Sequence, residues 1–179
     1  MPAHGRPSAR ALRRPRRHAR PSDEQDRSLW DRVAIDDASR ILDNALQFRS
    51  PGPFQLQAAL AALHATSPTA AETDWEEIVL LYDRLSEIAP TPVVALNRAV
   101  AIAMASGPAS GLALVEEIER GGDLADYYLL PATRADLLRR LGHFAQAHAA
   151  YERALELAPT DSERRYLTRR LAEVTQNAM

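Results

Sequence analysis

The chain has 179 residues, a formal net charge of −2 and 46% hydrophobic residues, enough for one domain with a sizeable core. It contains no cysteine, which excludes a disulfide framework, thiol catalysis and a cysteine zinc site. No apolar run approaches the roughly 18–20 residues of a membrane span, and no signal-peptide-like segment follows Met1, so the expected compartment is cytoplasmic.

The small net charge conceals an asymmetry. Residues 1–22 hold seven arginines (Arg6, Arg10, Arg13, Arg14, Arg16, Arg17 and Arg20) and no acid, leaving 15 basic against 24 acidic residues, a net of −9, in the rest. With four prolines, hardly a large apolar residue and no helical period, this Arg/Pro-rich leader is expected to be disordered, because it cannot offset its ordering entropy. A basic tail can contact nucleic acid. Since every basic residue is arginine, as in GC-rich coding, a leader read from a misplaced start codon is another explanation.

The folded domain is expected over residues 23–179. Ser22-Asp23-Glu24-Gln25 reads as a helix start. Trp30, Ala34, Ala38, Ile41, Ala45 and Phe48 then recur at spacings of three and four, predicting one apolar face of a helix over 24–48. Ser50-Pro51-Gly52-Pro53 ends it. The next helix, 54–65, is rich in Ala and Leu on nearly all sides and is expected to be largely buried. Thr73-Asp74-Trp75-Glu76 reads as a capping box opening a helix over 74–89. Further helices are predicted over 92–105, 109–120, 127–141 and 144–157, the last pair joined by a tight turn at Leu141-Gly142-His143. A second capping box, Thr160-Asp161-Ser162-Glu163, opens the final helix, 162–175, whose apolar side carries Leu167, Leu171 and Val174.

The stretch from Tyr128 to Pro159 places small residues where two helices must touch (Ala135, Ala147, Ala154), with Leu138, Phe144 and Tyr151 around them. That arrangement resembles the tetratricopeptide repeat, a helical pair of about 34 residues closed by proline. The same element recurs upstream. Trp75, Ile78, Tyr82, Leu85, Ile88, Ala89, Pro90 and Thr91 stand 69 positions before Phe144, Ala147, Tyr151, Ala154, Leu157, Ala158, Pro159 and Thr160. One unit fits between them, with Ala99, Ile102, Gly111, Val115 and Ile118 in the corresponding slots. Three units are about the minimum for a stable stack. The predicted fold is all-α: a right-handed, tetratricopeptide-like helical-repeat solenoid of about eight helices. It comprises three helical pairs, an N-terminal helix and a C-terminal closing helix.

No catalytic, cofactor or metal site is expected. His143 and His148 are five apart, a poor fit to one helix face. The glycines fall singly or at turns, without a phosphate loop, and no nucleophile elbow is present. Glu116, Glu117 and Glu119 read as a solvated face. Arg98 stands among apolar neighbours and must pair or reach water, with Asp83, Glu87 or Asp136 as partners. Arg134, 36 positions on, holds the matching slot. Aligning Ala59, Ala99 and Ala135 places Gln57, Asn97 and Thr133 in one row, flanked by Arg98, Arg134 and Asp136. These six residues form the candidate protein-interaction groove.

The stretches DRSLWDR, SPGPFQLQAALAALHA, DWEEIVLLYDRL, APTPVVALNRAVA, YYLLPATRADLLRRLG and AYERALELAP, in order from about Asp26 to Val174, carry a narrower likeness. They resemble the C-terminal, tetratricopeptide-like extension of a group of bacterial extracytoplasmic-function RNA polymerase sigma factors. The likeness implies a non-enzymatic regulatory domain in transcription initiation, with a sigma factor, RNA polymerase or a regulator as partner. The sigma regions that melt the −10 element and read the −35 element have no counterpart in these residues, so promoter recognition is not carried over. The folded part, at net −9, is expected not to bind specific DNA. The alternative is a free-standing tetratricopeptide adaptor that holds a peptide outside transcription; a small enzyme or metabolite sensor finds no converging polar constellation to support it.

Overall fold

Eight α-helices and one 3-10 turn, with no strand, make up the described residues of the computed structural model, which are 27–46, 51–69 and 71–177. The leader and the expected start at Ser22–Gln25 lie outside them, as does Phe48. The helices are α1 (Arg32–Leu46), α2 (Pro53–Thr66), α3 (Trp75–Ile88), α4 (Pro92–Ser106), α5 (Pro108–Gly121), α6 (Leu129–Arg140), α7 (Phe144–Leu157) and α8 (Asp161–Asn177). Each packs on its neighbours in sequence, and α4 also packs on α6. This is the helical-repeat solenoid that the sequence predicts.

Local chemistry fixes the boundaries. Proline at the first turn opens α2, α4 and α5, where a missing N–H costs nothing. The Thr91 hydroxyl accepts from the Val94 N–H at the start of α4. At α8 the expected capping box forms reciprocally: Glu163 N–H donates to the Thr160 hydroxyl, and Thr160 N–H donates to the Glu163 carboxylate. Gly142, at φ 78°, closes α6: its N–H bonds the Arg139 carbonyl, and the His143 N–H bonds that of Leu138.

Several expectations are corrected. The first helix begins at Arg32 rather than residue 24, because the chain makes a 3-10 turn at Arg27–Leu29 and breaks at Trp30. Its apolar stripe is not buried: Ala34 and Ala38 are exposed, and Ile41 is 71% exposed. Nor is α2 buried on nearly all sides. Only Leu56 and Leu60 are buried, while Phe54 is 83% exposed. The two helices splay around an apolar trough of about 590 Å3, floored by Ala58, Ala61, Ala62 and Ala65 of α2 and edged by Ala34 and Ala38 of α1. Alanine side chains are too short to close such a gap. The cap of α3 is also one residue later than predicted: Asp74 accepts from the Glu77 N–H, and the buried Thr73 hydroxyl turns to the Thr69 carbonyl.

Arg32 Nη1 of α1 donates to the Ala65 carbonyl of α2, and the turn before α1 is tied to the stack by Arg27, only 5% exposed. Its Nη1 donates to the carbonyls of His64, Ser67 and Thr69, which satisfies groups around the C-terminus of α2 where a cation is favoured. The His64 ring meets Trp75 edge-on at 5.3 Å. Burial, and then the positive Arg27, hold the His64 pKa below its ordinary 6.5. Folding therefore favours the neutral imidazole. That contribution is fully present above the unfolded-state pKa and is lost as pH falls through it towards the folded value. Thermal melts are expected to show a loss of stability on acidification below about pH 6.5 that shrinks in His64→Gln. An unchanged pH profile in the variant would contradict this origin.

Candidate functional site

The helices alternate in role along the stack. The first helices of the three pairs are α2, α4 and α6; the second helices are α3, α5 and α7. Direct packing of α4 on α6, with no comparable contact between α3 and α5, puts the first helices on the inner, tighter side. The second helices fan apart on the outer side. Curvature of this kind gives repeat proteins their concave binding surface.

The inner side carries the predicted row. Gln57 and Asn97 are exposed and Thr133 is half-buried. Asn97 and Thr133 share the packed pair α4 and α6, whereas Gln57 stands on α2, which packs on α1 and α3 instead. Sequence reasoning missed the apolar companions of the row. Val93 and Leu129, 36 positions apart and four before Asn97 and Thr133, are 38% and 37% exposed. Met104, also 38% exposed, accepts from Arg140 Nη1 at 3.4 Å across the two helices. The face therefore alternates partly exposed aliphatic side chains with an amide and a hydroxyl, a mixture suited to an extended polypeptide.

The flanking charges do something else. Arg98 Nε donates to Asp83 of α3, one of its three expected partners. Arg134 reaches α5, with Nε 3.3 Å from Glu119 and Nη2 3.7 Å from Glu116. Asp83 and Glu119 are 36 apart, as are Arg98 and Arg134, so one ion pair is repeated between successive units. Asp136 bonds Arg139 on its own helix, not Arg98. Arg98 and Arg134 thus join elements of the stack, while Asp136 is paired within α6. The periodic carboxylate was the available signal, since Glu119 repeats Asp83 as Arg134 repeats Arg98. Each pair is partly exposed, so its worth lies within roughly 0–1 kcal/mol and it serves register more than stability.

On the outer side, α3 and α5 leave a groove of about 900 Å3 over α4. Pro90, Pro92, Ala95, Leu114 and Ile118 give it apolar walls, and Asp83, Glu87, Glu117 and Asp123 line it with carboxylates around the paired Arg98. Its cause is visible in the repeat. By the 69-residue offset, α8 repeats α4, and Leu167 occupies the slot that Arg98 holds. Leu167 is buried against Tyr151, whereas the Arg98 side chain remains 34% exposed and leaves Tyr82 only half-buried. The expected equivalence of Tyr82 and Tyr151 thus holds in place but not in burial.

Among the described residues no cluster of three or more histidine, aspartate or glutamate side chains could hold a metal ion, and no helix is long and apolar enough to cross a membrane. Tyr128 donates to Glu163 at 2.7 Å, which ties α6 to α8. Burial raises the Tyr128 pKa, and the Thr160 and Tyr128 hydroxyls lower that of Glu163, so the pair is a structural brace.

Comparison with known proteins matches the tetratricopeptide repeat to residues 132–161, which run from within α6 through its glycine turn and α7 to the first residue of α8. An uncharacterized protein of Rhizobium meliloti (strain 1021) is 45% identical over 149 residues, covering 83% of this chain and 35% of that protein. The chain therefore spans about a third of the length of the relative it matches. No solved structure matches it.

Proposed function

We propose that this chain is a protein-interaction domain of the regulatory kind that accompanies extracytoplasmic-function sigma factors, docking on a sigma factor or on RNA polymerase. The observation that carries it is the inner face of α4 and α6, where Val93, Met104 and Leu129 stay partly exposed beside Asn97 and Thr133. Such residues cost solvation unless something covers them. The ordered likeness of six stretches to the sigma-factor extension supplies the context. The tetratricopeptide match supports the coarser part, a module that binds protein.

The test pairs stability with association. Purified RNA polymerase, alone and with a sigma factor of the same bacterium, is titrated with the full chain. Saturable binding is expected, and Asn97→Arg with Thr133→Arg should weaken it by about tenfold, the size of a few lost interface contacts, while the melting temperature stays put. Absence of binding to either protein would remove the transcription reading and leave the adaptor reading. Binding that the face variants do not weaken would remove the α4–α6 face as the site.

A further inference from the structure

We propose that the outer groove between α3 and α5 is a second docking site, one that takes an extended arginine- or lysine-bearing segment of a partner protein. The site is distinct from the inner face, because it lies between second helices and its floor is the other side of α4.

Three observations fit that occupant. The first is shape: about 900 Å3 stands near the upper end of the roughly 300–1,000 Å3 of ligand pockets, and the opening runs along two helices that do not close on each other. Pro90, Pro92, Leu114 and Ile118 offer apolar surface for aliphatic stems. Arginine and lysine are the side chains that bury such stems while keeping a charged head outside.

The second is charge. Four carboxylates line the groove against one guanidinium. Arg98 is already taken by Asp83, and Glu87 is paired with Arg84 at 2.5 Å. Glu117 and Asp123 are exposed and have no partner among the described residues. Two open carboxylates, on the rim of one cavity, are left to accept from an incoming cation.

The third is the backbone. The C-terminal ends of both α3 and α5 border the groove, at Pro90 and at Gly121. The last turn of α3 carries no basic residue to offset its carbonyl end, whereas that of α5 carries Arg120. Among the described residues one N-terminus, that of α4, borders the same space, and its Val94 N–H is already bonded to Thr91. The uncompensated carbonyl end of α3 therefore adds to the negative sign that the side chains set.

The test uses the full chain and a fluorescent octa-arginine peptide, followed by anisotropy at low salt and at about 150 mM salt. Binding is expected at low salt and should weaken as salt rises. Glu117→Gln with Asp123→Asn should reduce affinity about fivefold, the scale of two exposed charge pairs. Glu152→Gln with Glu156→Gln on α7 makes the same change in net charge away from the groove and should alter affinity by less than about twofold. Equal weakening by the two pairs would show attraction to overall charge and overturn the site. So would failure of the peptide to bind the full chain, or binding that appears only once residues 1–22 are removed, which would assign the groove to the chain's own arginines. Failure of the Asn97 and Thr133 variants to affect polymerase leaves this result untouched, since neither residue lines the groove.

Discussion

Replacing Tyr151 by alanine is expected to destabilise the chain by about 3–5 kcal/mol, the range for deleting a fully buried aromatic. The ring is 1% exposed and packed among α6, α7 and α8, within a cluster containing Ala135, Leu138, Ala147, Leu167 and Val174. These neighbours belong to three helices, so none can move into the void without opening a contact elsewhere. Tyr82→Ala, at the equivalent place one double repeat earlier, should cost about half as much, because that side chain is only half-buried. The Tyr151 hydroxyl is buried without a well-formed hydrogen bond, and burial together with the Asp136 charge pushes its pKa up to about 12. Tyr151→Phe should therefore change stability by less than about 1 kcal/mol. Chemical denaturation of the three variants checks the order; equal losses at Tyr82 and Tyr151 would mean that the two sites are equally filled.

Gly111→Ala should also destabilise, against the helix-propensity trend. In a helix interior alanine is favoured over glycine by about 1 kcal/mol. Here an added Cβ would stand 2.4 Å from Ala103 Cβ and 2.8 Å from the Ala99 carbonyl oxygen. Neither obstacle is the far end of a flexible side chain, so α4 and α5 must separate. Overpacking of this kind costs roughly 1–3 kcal/mol or more, which exceeds the propensity gain. A net loss of about 1–2 kcal/mol is expected for alanine and a larger one for valine. A neutral or stabilised Gly111→Ala would show that the two helices are free to part.

Much of the stack was legible because its signals are local or periodic. Proline at helix starts, Gly142 in the turn and the Thr160–Glu163 box act within a few residues. Small residues recur 36 positions apart, at Ala99 and Ala135 and at Gly111 and Ala147, and all four are buried. The candidate site was legible only in part. Asn97 and Thr133 came out together on packed helices, but Arg98, Arg134 and Asp136 bend away into pairs, because a guanidinium beside an apolar helix seeks the nearest carboxylate.

The sequence by itself determined the helix count, the repeat register and the buried small residues, since 3.6-residue periodicity and close helix contact demand them wherever the chain folds. Only the tertiary structure decided which apolar faces are covered. The stripe of α1 and the alanine surface of α2 have the composition of buried helices, yet they face a trough, because burial depends on a neighbour's distance and alanine cannot reach across. The two sides of α4 were decided in the same way. Its inner side meets α6, while its outer side opens into an acidic groove where Arg98 stands in the place that Leu167 fills at the end of the stack.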